Sequence, residues 1–174
     1  TEIYTLSLHD ALPIWKKTLI VLRTGKKVSP VVTEEAINLD RHVRNVCVIG
    51  DDLKYLIGIV EPNWEYLAEW LEQKGLSAYK AKELDVKNDT TKEEYMAIIE
   101  RRKQFIGLPE VVEFYNIILN EMQKNLSEFE RVRRFALVAD HWNEYNVLTP
   151  SSKIIRRKIM DTYKDEIAKT YVEN

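Results

Sequence analysis

The spacing of apolar positions changes several times along the chain, and each spacing predicts an element. Four short runs rich in β-branched and aliphatic residues predict strands, at 18–22, 43–49, 53–60 and 131–138. Apolar residues repeated every three or four positions predict helices at 63–74, about 95–106, 109–126 and 155–171. A shorter helix is predicted from Thr33 to about Leu39, because Thr33 suits an N-cap and Glu34 and Glu35 suit a first turn.

The breaks between these runs predict how the elements connect. Gly25 can adopt the positive φ of a tight turn, so the first strand should continue into a hairpin. A second hairpin turn is predicted at 50–52, between the next two strands. The run 53–60 is apolar on both faces and should lie centrally in the sheet, whereas the polar segment 80–91 should be the least regular part. The expected fold class is α+β, with a small mixed or antiparallel sheet covered by helices.

Composition and charge exclude several classes of protein. The chain has 26 Lys+Arg and 28 Asp+Glu, and the resulting net charge of -2 argues against a nucleic-acid partner. No apolar run approaches the ~18 residues of a membrane span. Cys47 stands alone in an apolar run and is predicted to be a reduced core residue. The three histidines are scattered, which indicates no metal site, and a cytoplasmic location is expected.

The strongest candidate for chemistry lies near the C-terminal end. A turn-forming segment, Pro150-Ser151-Ser152, presents Lys153, and a basic amphipathic helix follows it. Lysine is a compact point charge on a flexible stem, which suits it to offset negative charge between reacting anions. Taken alone, however, the same motif is weak and is more often a solvated lysine before a basic helix.

Several ordered blocks accompany this motif along most of the chain. They are Gly25–Pro30 with Glu34–Ile37, Val46–Asp52, Tyr55–Pro62, Asn125–Val132, and Leu148–Arg157 with Tyr163–Tyr171. In this order they resemble the C-terminal domain of long-chain fatty acyl-CoA synthetases, the AMP-forming members of the adenylate-forming enzyme superfamily. The long helical insert before the lysine motif is typical of the long-chain branch.

The resemblance implies a fold and a two-step reaction. The fold would be the mobile C-terminal domain of adenylate-forming enzymes. The full ligase would use ATP and Mg²⁺ to convert a fatty acid to an acyl-adenylate, and would then transfer the acyl group to CoA. By this resemblance Lys153 is the catalytic lysine of the first step. Gly25, with Lys26 and Lys27, would belong to the CoA-side loop of the second step.

The CoA-side assignments have simpler alternatives. Gly25 is also explained as a plain turn glycine, and two surface lysines such as Lys26 and Lys27 are more often merely solvated. Thr24 departs from the family pattern, which has a glycine at that position. The resemblance therefore supports Lys153 more firmly than it supports the CoA-side loop.

The N-terminal segment reads differently from the rest of the chain. Residues 4–14, YTLSLHDALPI, resemble the translation of a common sequencing-adapter oligonucleotide. We expect residues 1–14 to be an artefact of this kind, and residues 15–174 to be the C-terminal (lid) domain.

The same interpretation assigns the remaining machinery to an absent partner. A large N-terminal domain of the same polypeptide would bind most of the ATP, Mg²⁺, fatty acid and CoA. The chain by itself should then be inactive. The resemblance allows peripheral membrane association of the full enzyme.

Two other functions remain open at this point. The chain could belong to another adenylate-forming ligase, such as an aryl- or medium-chain-CoA ligase, because the acid pocket would lie in the large domain. It could also be a stand-alone interaction module that keeps the fold without the chemistry.

Overall fold

The computed structural model describes residues 19–173. The segment 1–14, interpreted above as adapter-derived, lies outside the described residues. Five strands are described: β1 (Ile20–Val21), β2 (Lys27–Val28), β3 (Val43–Ile49), β4 (Leu56–Pro62) and β5 (Val132–Leu137). Six α-helices are described: α1 (Pro30–Ile37), α2 (Trp64–Gln73), α3 (Lys92–Lys103), α4 (Pro109–Met122), α5 (Arg156–Thr162) and α6 (Lys164–Thr170). Short 3₁₀ turns lie at Ala81–Glu83 and Glu128–Glu130.

The main sheet has three strands in the order β3-β4-β5, and β1 and β2 form a separate hairpin. β3 and β4 are antiparallel, with Cys47 opposite Ile59, whereas β4 and β5 are parallel. Every residue of β4 is buried. The predicted mixed sheet and the central position of this apolar strand are therefore confirmed, and the α+β class with them.

Two cores cover the two faces of this sheet, because successive strand side chains point to opposite sides. The hairpin face includes Ile20, Leu22, Val28, Val46, Val48, Leu56, Val60 and residues of α2 and α4. The lysine face includes Cys47, Ile49, Ile57, Ile59, Trp142, Val147, Leu148, Ile159 and Tyr163. The N-terminal hairpin and the predicted lysine loop are thus anchored in different cores.

Helix α1 begins earlier than the sequence predicts. It starts at Pro30, whose fixed φ suits the first helical position, so Thr33 is not the N-cap. The Thr33 hydroxyl instead donates to the Glu130 carbonyl oxygen at 2.7 Å. Glu34 therefore lies in the second turn of the helix and is buried, where it contacts the sheet.

The C-terminal helix predicted over 155–171 is two helices, α5 and α6. Tyr163 interrupts them with φ −108° and ψ 31°. Its hydroxyl accepts a hydrogen bond from Trp142 Nε1 at 2.8 Å and donates one to Asp140 Oδ2 at 2.8 Å. The predicted apolar repeat is real, since Ile159 and Tyr163 are buried, but a long-range polar contact coincides with the break.

Candidate functional site

Lys153 closes a tight loop that starts at Thr149. The Thr149 amide donates to the Lys153 carbonyl oxygen at 2.7 Å, and the Lys153 amide donates to Thr149 Oγ1 at 3.0 Å. Ser152 adopts a positive φ of 62° at the tip of the loop. Lys153 is exposed, and no side chain within residues 19–173 forms an ion pair or hydrogen bond with its ammonium group. The loop therefore presents this cation to solvent.

The base of this loop is buried on the lysine face. Leu148 pairs with Ile154 in an isolated antiparallel bridge, and Leu148 and Val147 are buried beside Trp142. Burial, and then the charge of Asp140, raise the pKa of Tyr163 well above its ordinary value. Its hydroxyl therefore stays protonated and can donate to Asp140 while it accepts from Trp142.

A fully buried carboxylate, Glu61, fixes the segment before the loop. Glu61 Oε1 accepts from the Trp142 amide at 3.0 Å, and Oε2 accepts from Asn45 Nδ2 at 2.7 Å. His141 Nδ1 and Arg44 Nε lie 3.5 and 3.8 Å from the same carboxylate. These partners compensate for the loss of hydration on burial. No pattern in the sequence indicates this role, because Glu61 reads as the polar end of a strand.

Arg156 holds the chain just after Lys153. Its Nη1 lies 2.7 Å from Glu34 Oε1 and 2.6 Å from the Val48 carbonyl oxygen, and it contacts Cys47 Sγ at 3.2 Å. Burial is the largest influence and disfavours the charged guanidinium, but the contacts with Glu34 and Cys47 together outweigh it, and the pKa of Arg156 is raised. Burial also raises the pKa of the Cys47 thiol to about 12, so the predicted core cysteine is neutral.

The Gly25 loop is a compact backbone turn. Gly25 has φ +84°, its amide donates to the Leu22 carbonyl oxygen at 2.8 Å, and the Leu22 amide donates to the Lys26 carbonyl oxygen at 2.9 Å. A Cβ placed on Gly25 would meet no atom within 4 Å. The glycine is therefore required for its conformation, and the space beside it is open.

A cationic cleft of about 280 Å³ adjoins this loop. Its charged lining consists of Lys26, Lys54, Arg133 and Glu128, beside the aromatic rings of Tyr55 and Phe129. Lys26 Nζ lies 5.2 Å from the centroid of the Phe129 ring, and Arg133 pairs with Glu128 at 2.8 Å. Lys27 lies in β2, is exposed, and does not line the cleft. Three cations against one carboxylate make the cleft suitable for a phosphate.

The structure does not bring all predicted site residues together. Gly25 and Lys26 form one loop above the hairpin face, and Lys153 belongs to a loop anchored on the lysine face. Within residues 19–173, no three metal-ligating side chains converge. None of the helices described there is both long and apolar enough to cross a bilayer.

Comparison with known proteins finds a family model that matches the N-terminal part of the described fold. Residues 17–79 match the family described as the AMP-binding enzyme C-terminal domain. This part of the chain is therefore similar to the C-terminal domain of AMP-binding enzymes. The matched part contains the Gly25 loop, α1, and strands β3 and β4.

Two relatives match this chain over most of its length. Long chain acyl-CoA synthetase 8 of Arabidopsis thaliana is 26% identical over 158 residues, which are 90% of this chain and 19% of that protein. Long-chain-fatty-acid–CoA ligase 6 of Mus musculus is 26% identical over 159 residues, 90% of this chain and 20% of that protein. The chain thus spans about a fifth of the relatives that it matches.

A solved structure supports the fold assignment. The adenylation domain of a carboxylate reductase from Mycobacterium chelonae superposes with a TM-score of 0.61 at 19% identity. The match covers 88% of this chain and 19% of that chain. The chain therefore shares its fold with a part of that adenylation domain.

Proposed function

We propose that this domain belongs to an AMP-forming long-chain fatty acid–CoA ligase, in which Lys153 supplies the cation for adenylation. The observation that carries the proposal is the exposed Lys153 ammonium, presented without a partner among the described residues, on a loop whose base is buried. The names of the relatives support the long-chain substrate class. ATP, Mg²⁺ and CoA are the expected co-reactants, and a large N-terminal domain is the expected partner.

The chemistry of the first step explains the need for this cation. A fatty-acid carboxylate oxygen bonds to the α-phosphorus of ATP, while the bond from that phosphorus to the pyrophosphate oxygen breaks. Both reactants are anions, so their approach is opposed by charge repulsion. The Lys153 ammonium would lower this repulsion, and its positive charge would act on the negative charge that the transition state concentrates.

The Gly25 loop is proposed to act in the second step. The CoA thiolate attacks the acyl carbonyl carbon, and AMP leaves with the electrons of the broken carbon–oxygen bond. The open space beside Gly25 allows close approach of an extended pantetheine chain. Lys26, with the cleft cations Lys54 and Arg133, would bind CoA phosphates, whereas Lys27 has only a surface position. Ligands for Mg²⁺ would come from the large domain.

The test joins residues 15–174 to the large domain of a long-chain acyl-CoA synthetase. In this joined ligase, Lys153→Ala should lower the rate of ATP–pyrophosphate exchange by about 10²–10³, the loss seen for a deleted transition-state donor. Lys158→Ala is the matched control, because Lys158 is an exposed lysine in α5. Equal exchange rates in the two variants would contradict the proposed role of Lys153.

The joined ligase also tests substrate class and the alternative functions. We expect the large domain to determine which carboxylic acid substrate is preferred, since no acid pocket is assigned to this domain. An intact natural protein that activates aryl or medium-chain acids instead would identify a different adenylate-forming ligase. A natural protein that lacks an ATP-binding domain would identify an interaction module.

A further inference from the structure

An ion pair lies beside Val48 at the edge of the main sheet, and the lysine motif alone does not explain it. β3 is an edge strand, because the sheet order is β3-β4-β5. The Val48 amide donates to Glu34 Oε1 at 2.9 Å, and the Val48 carbonyl oxygen accepts from Arg156 Nη1 at 2.6 Å. Both backbone groups of this edge residue are therefore bonded by the two side chains of one ion pair.

This ion pair joins two segments that are far apart in sequence. Glu34 lies in α1, which follows the Gly25 hairpin directly, and Arg156 lies three residues after Lys153. The two are 122 residues apart, yet Nη1 and Oε1 are separated by 2.7 Å. The side chains are only 27% and 12% exposed, which limits screening by water and salt. The contact therefore links α1 to the segment that follows the Lys153 loop.

Arg156 is the first residue of α5. The N-cap residue Ile155 gives no side-chain capping bond, and its amide donates to the Val147 carbonyl oxygen at 2.8 Å. The start of the helix is therefore held by the backbone on one side and by the Arg156–Glu34 pair on the other. Lys153, at the end of the preceding loop, has no such tether on its own side chain within residues 19–173.

We infer that Arg156 and Glu34 are positioning residues, whose ion pair clamps the start of α5 to Val48 and thereby fixes the direction in which Lys153 is presented. The inference rests on the proposed role of Lys153 in adenylation. It predicts that weakening the clamp frees the Lys153 loop without unfolding the sheet, and that it lowers the rate of adenylation through Lys153.

The first test measures amide hydrogen exchange in the 174-residue chain by NMR. Glu34→Gln keeps an acceptor for the Val48 amide but removes the charge, and Arg156→Lys keeps the charge but removes the guanidinium fork. In both variants the Lys153 and Ile155 amides should exchange about 10- to 100-fold faster, because charge-assisted bonds are lost locally. Amides of β4 should exchange at their original rate. Arg157→Lys, a matched change at an exposed arginine, should leave the loop unchanged.

The second test measures adenylation in the joined ligase. Each clamp variant should lower kcat by about tenfold and leave the KM values for ATP and fatty acid unchanged, as expected when only transition-state placement is lost. The double variant should lose little more than either single variant, because both remove one contact. Transfer to CoA from supplied acyl-adenylate should be affected less.

The outcomes separate this inference from the proposed function. If loop and β4 amides exchange faster to the same extent, the pair is merely structural, and if neither changes, the pair does not hold the loop. Either result overturns the inference. If Lys153→Ala slows adenylation but the clamp variants retain full kcat, the inference also fails while the function of Lys153 stands. If Lys153→Ala has no effect, the proposed function fails, and the positioning role fails with it even if the loop is loosened.

Discussion

The Gly25 loop and the Lys153 loop are both exposed turns, but different forces hold them. The Gly25 loop is closed by backbone bonds between Leu22 and Gly25 or Lys26, and its one special requirement is a positive φ. The Lys153 loop has a backbone bond from Thr149 to Lys153 as well, but side chains add to it: Thr149 Oγ1 within the loop, and the Arg156–Glu34 pair at its exit. The closure of the first loop is therefore local, although Arg23 also ties it to Asp52 and Glu173, whereas the exit of the second loop is held by a contact across the fold.

This difference predicts where each loop is sensitive to mutation. Changes far from Gly25 should leave its turn intact as long as the hairpin stays packed on Ile20 and Val28. Changes at positions remote in sequence, such as Glu34 or Trp142, should alter the Lys153 loop. Such sensitivity suits a catalytic group that must be placed accurately, since small displacements of a transition-state contact are costly.

The largest expected effect is at Trp142, which is 1% exposed at the centre of the lysine face. Trp142→Ala should lower the free energy of unfolding by about 3–5 kcal/mol, the usual cost of truncating a buried aromatic side chain. Urea unfolding measures it, with Tyr145→Ala as the control, because Tyr145 is 89% exposed nearby. A loss no greater than that of the control would show that the lysine face does not depend on this core.

A smaller effect is expected at the Gly25 turn. Gly25→Ala should cost about 1–2 kcal/mol, since an L-residue is strained in the left-handed region, although its Cβ meets no neighbour. Gly107→Ala is the matched control, because Gly107 also has open space but no positive φ. Thermal unfolding of the two variants should therefore separate conformation from crowding. Equal melting temperatures would contradict the turn assignment.

The strands and turns were largely predictable because their signals are local. The apolar run of β4 predicted a central strand, and Gly25 predicted a turn, as the structure confirms. The start of α1 was missed because Pro30 outweighs Thr33 as the signal for the first turn. The predicted single C-terminal helix breaks at Tyr163, whose partners Trp142 and Asp140 lie elsewhere in the sequence.

The site was predictable in part. A motif can indicate Lys153, but it contains no information on what anchors the loop. Glu34 and Glu61 read as ordinary acidic residues at a helix start and a strand end. Only the tertiary structure shows that Glu34 meets Arg156 and that Glu61 meets the Trp142 amide. The one signal in the sequence is that both acidic residues stand near apolar residues, which favours their burial.

The smallest expected effect concerns the bond inside the Lys153 loop. Thr149→Val removes the acceptor of the Lys153 amide but keeps the shape of the side chain. It should lower the free energy of unfolding by about 0.5–1.5 kcal/mol, the net value of one hydrogen bond. Thr149→Ser retains the hydroxyl and should lose less. Urea unfolding measures both, and an equal loss in the two variants would indicate that the methyl group contributes as much as the hydroxyl.

The central claim is that the Lys153 loop acts in adenylation and the Gly25 loop acts in thioester formation. The most direct test is to measure these two half-reactions separately in the joined ligase. ATP–pyrophosphate exchange reports adenylation, and CoA capture of supplied acyl-adenylate reports thioester formation. Lys153→Ala should slow the first by about 10²–10³ and largely spare the second. Gly25→Val should slow the second and spare the first, because a side chain fills the open space beside the loop. Equal losses in both half-reactions for Lys153→Ala would contradict the account and leave the lysine with a structural role.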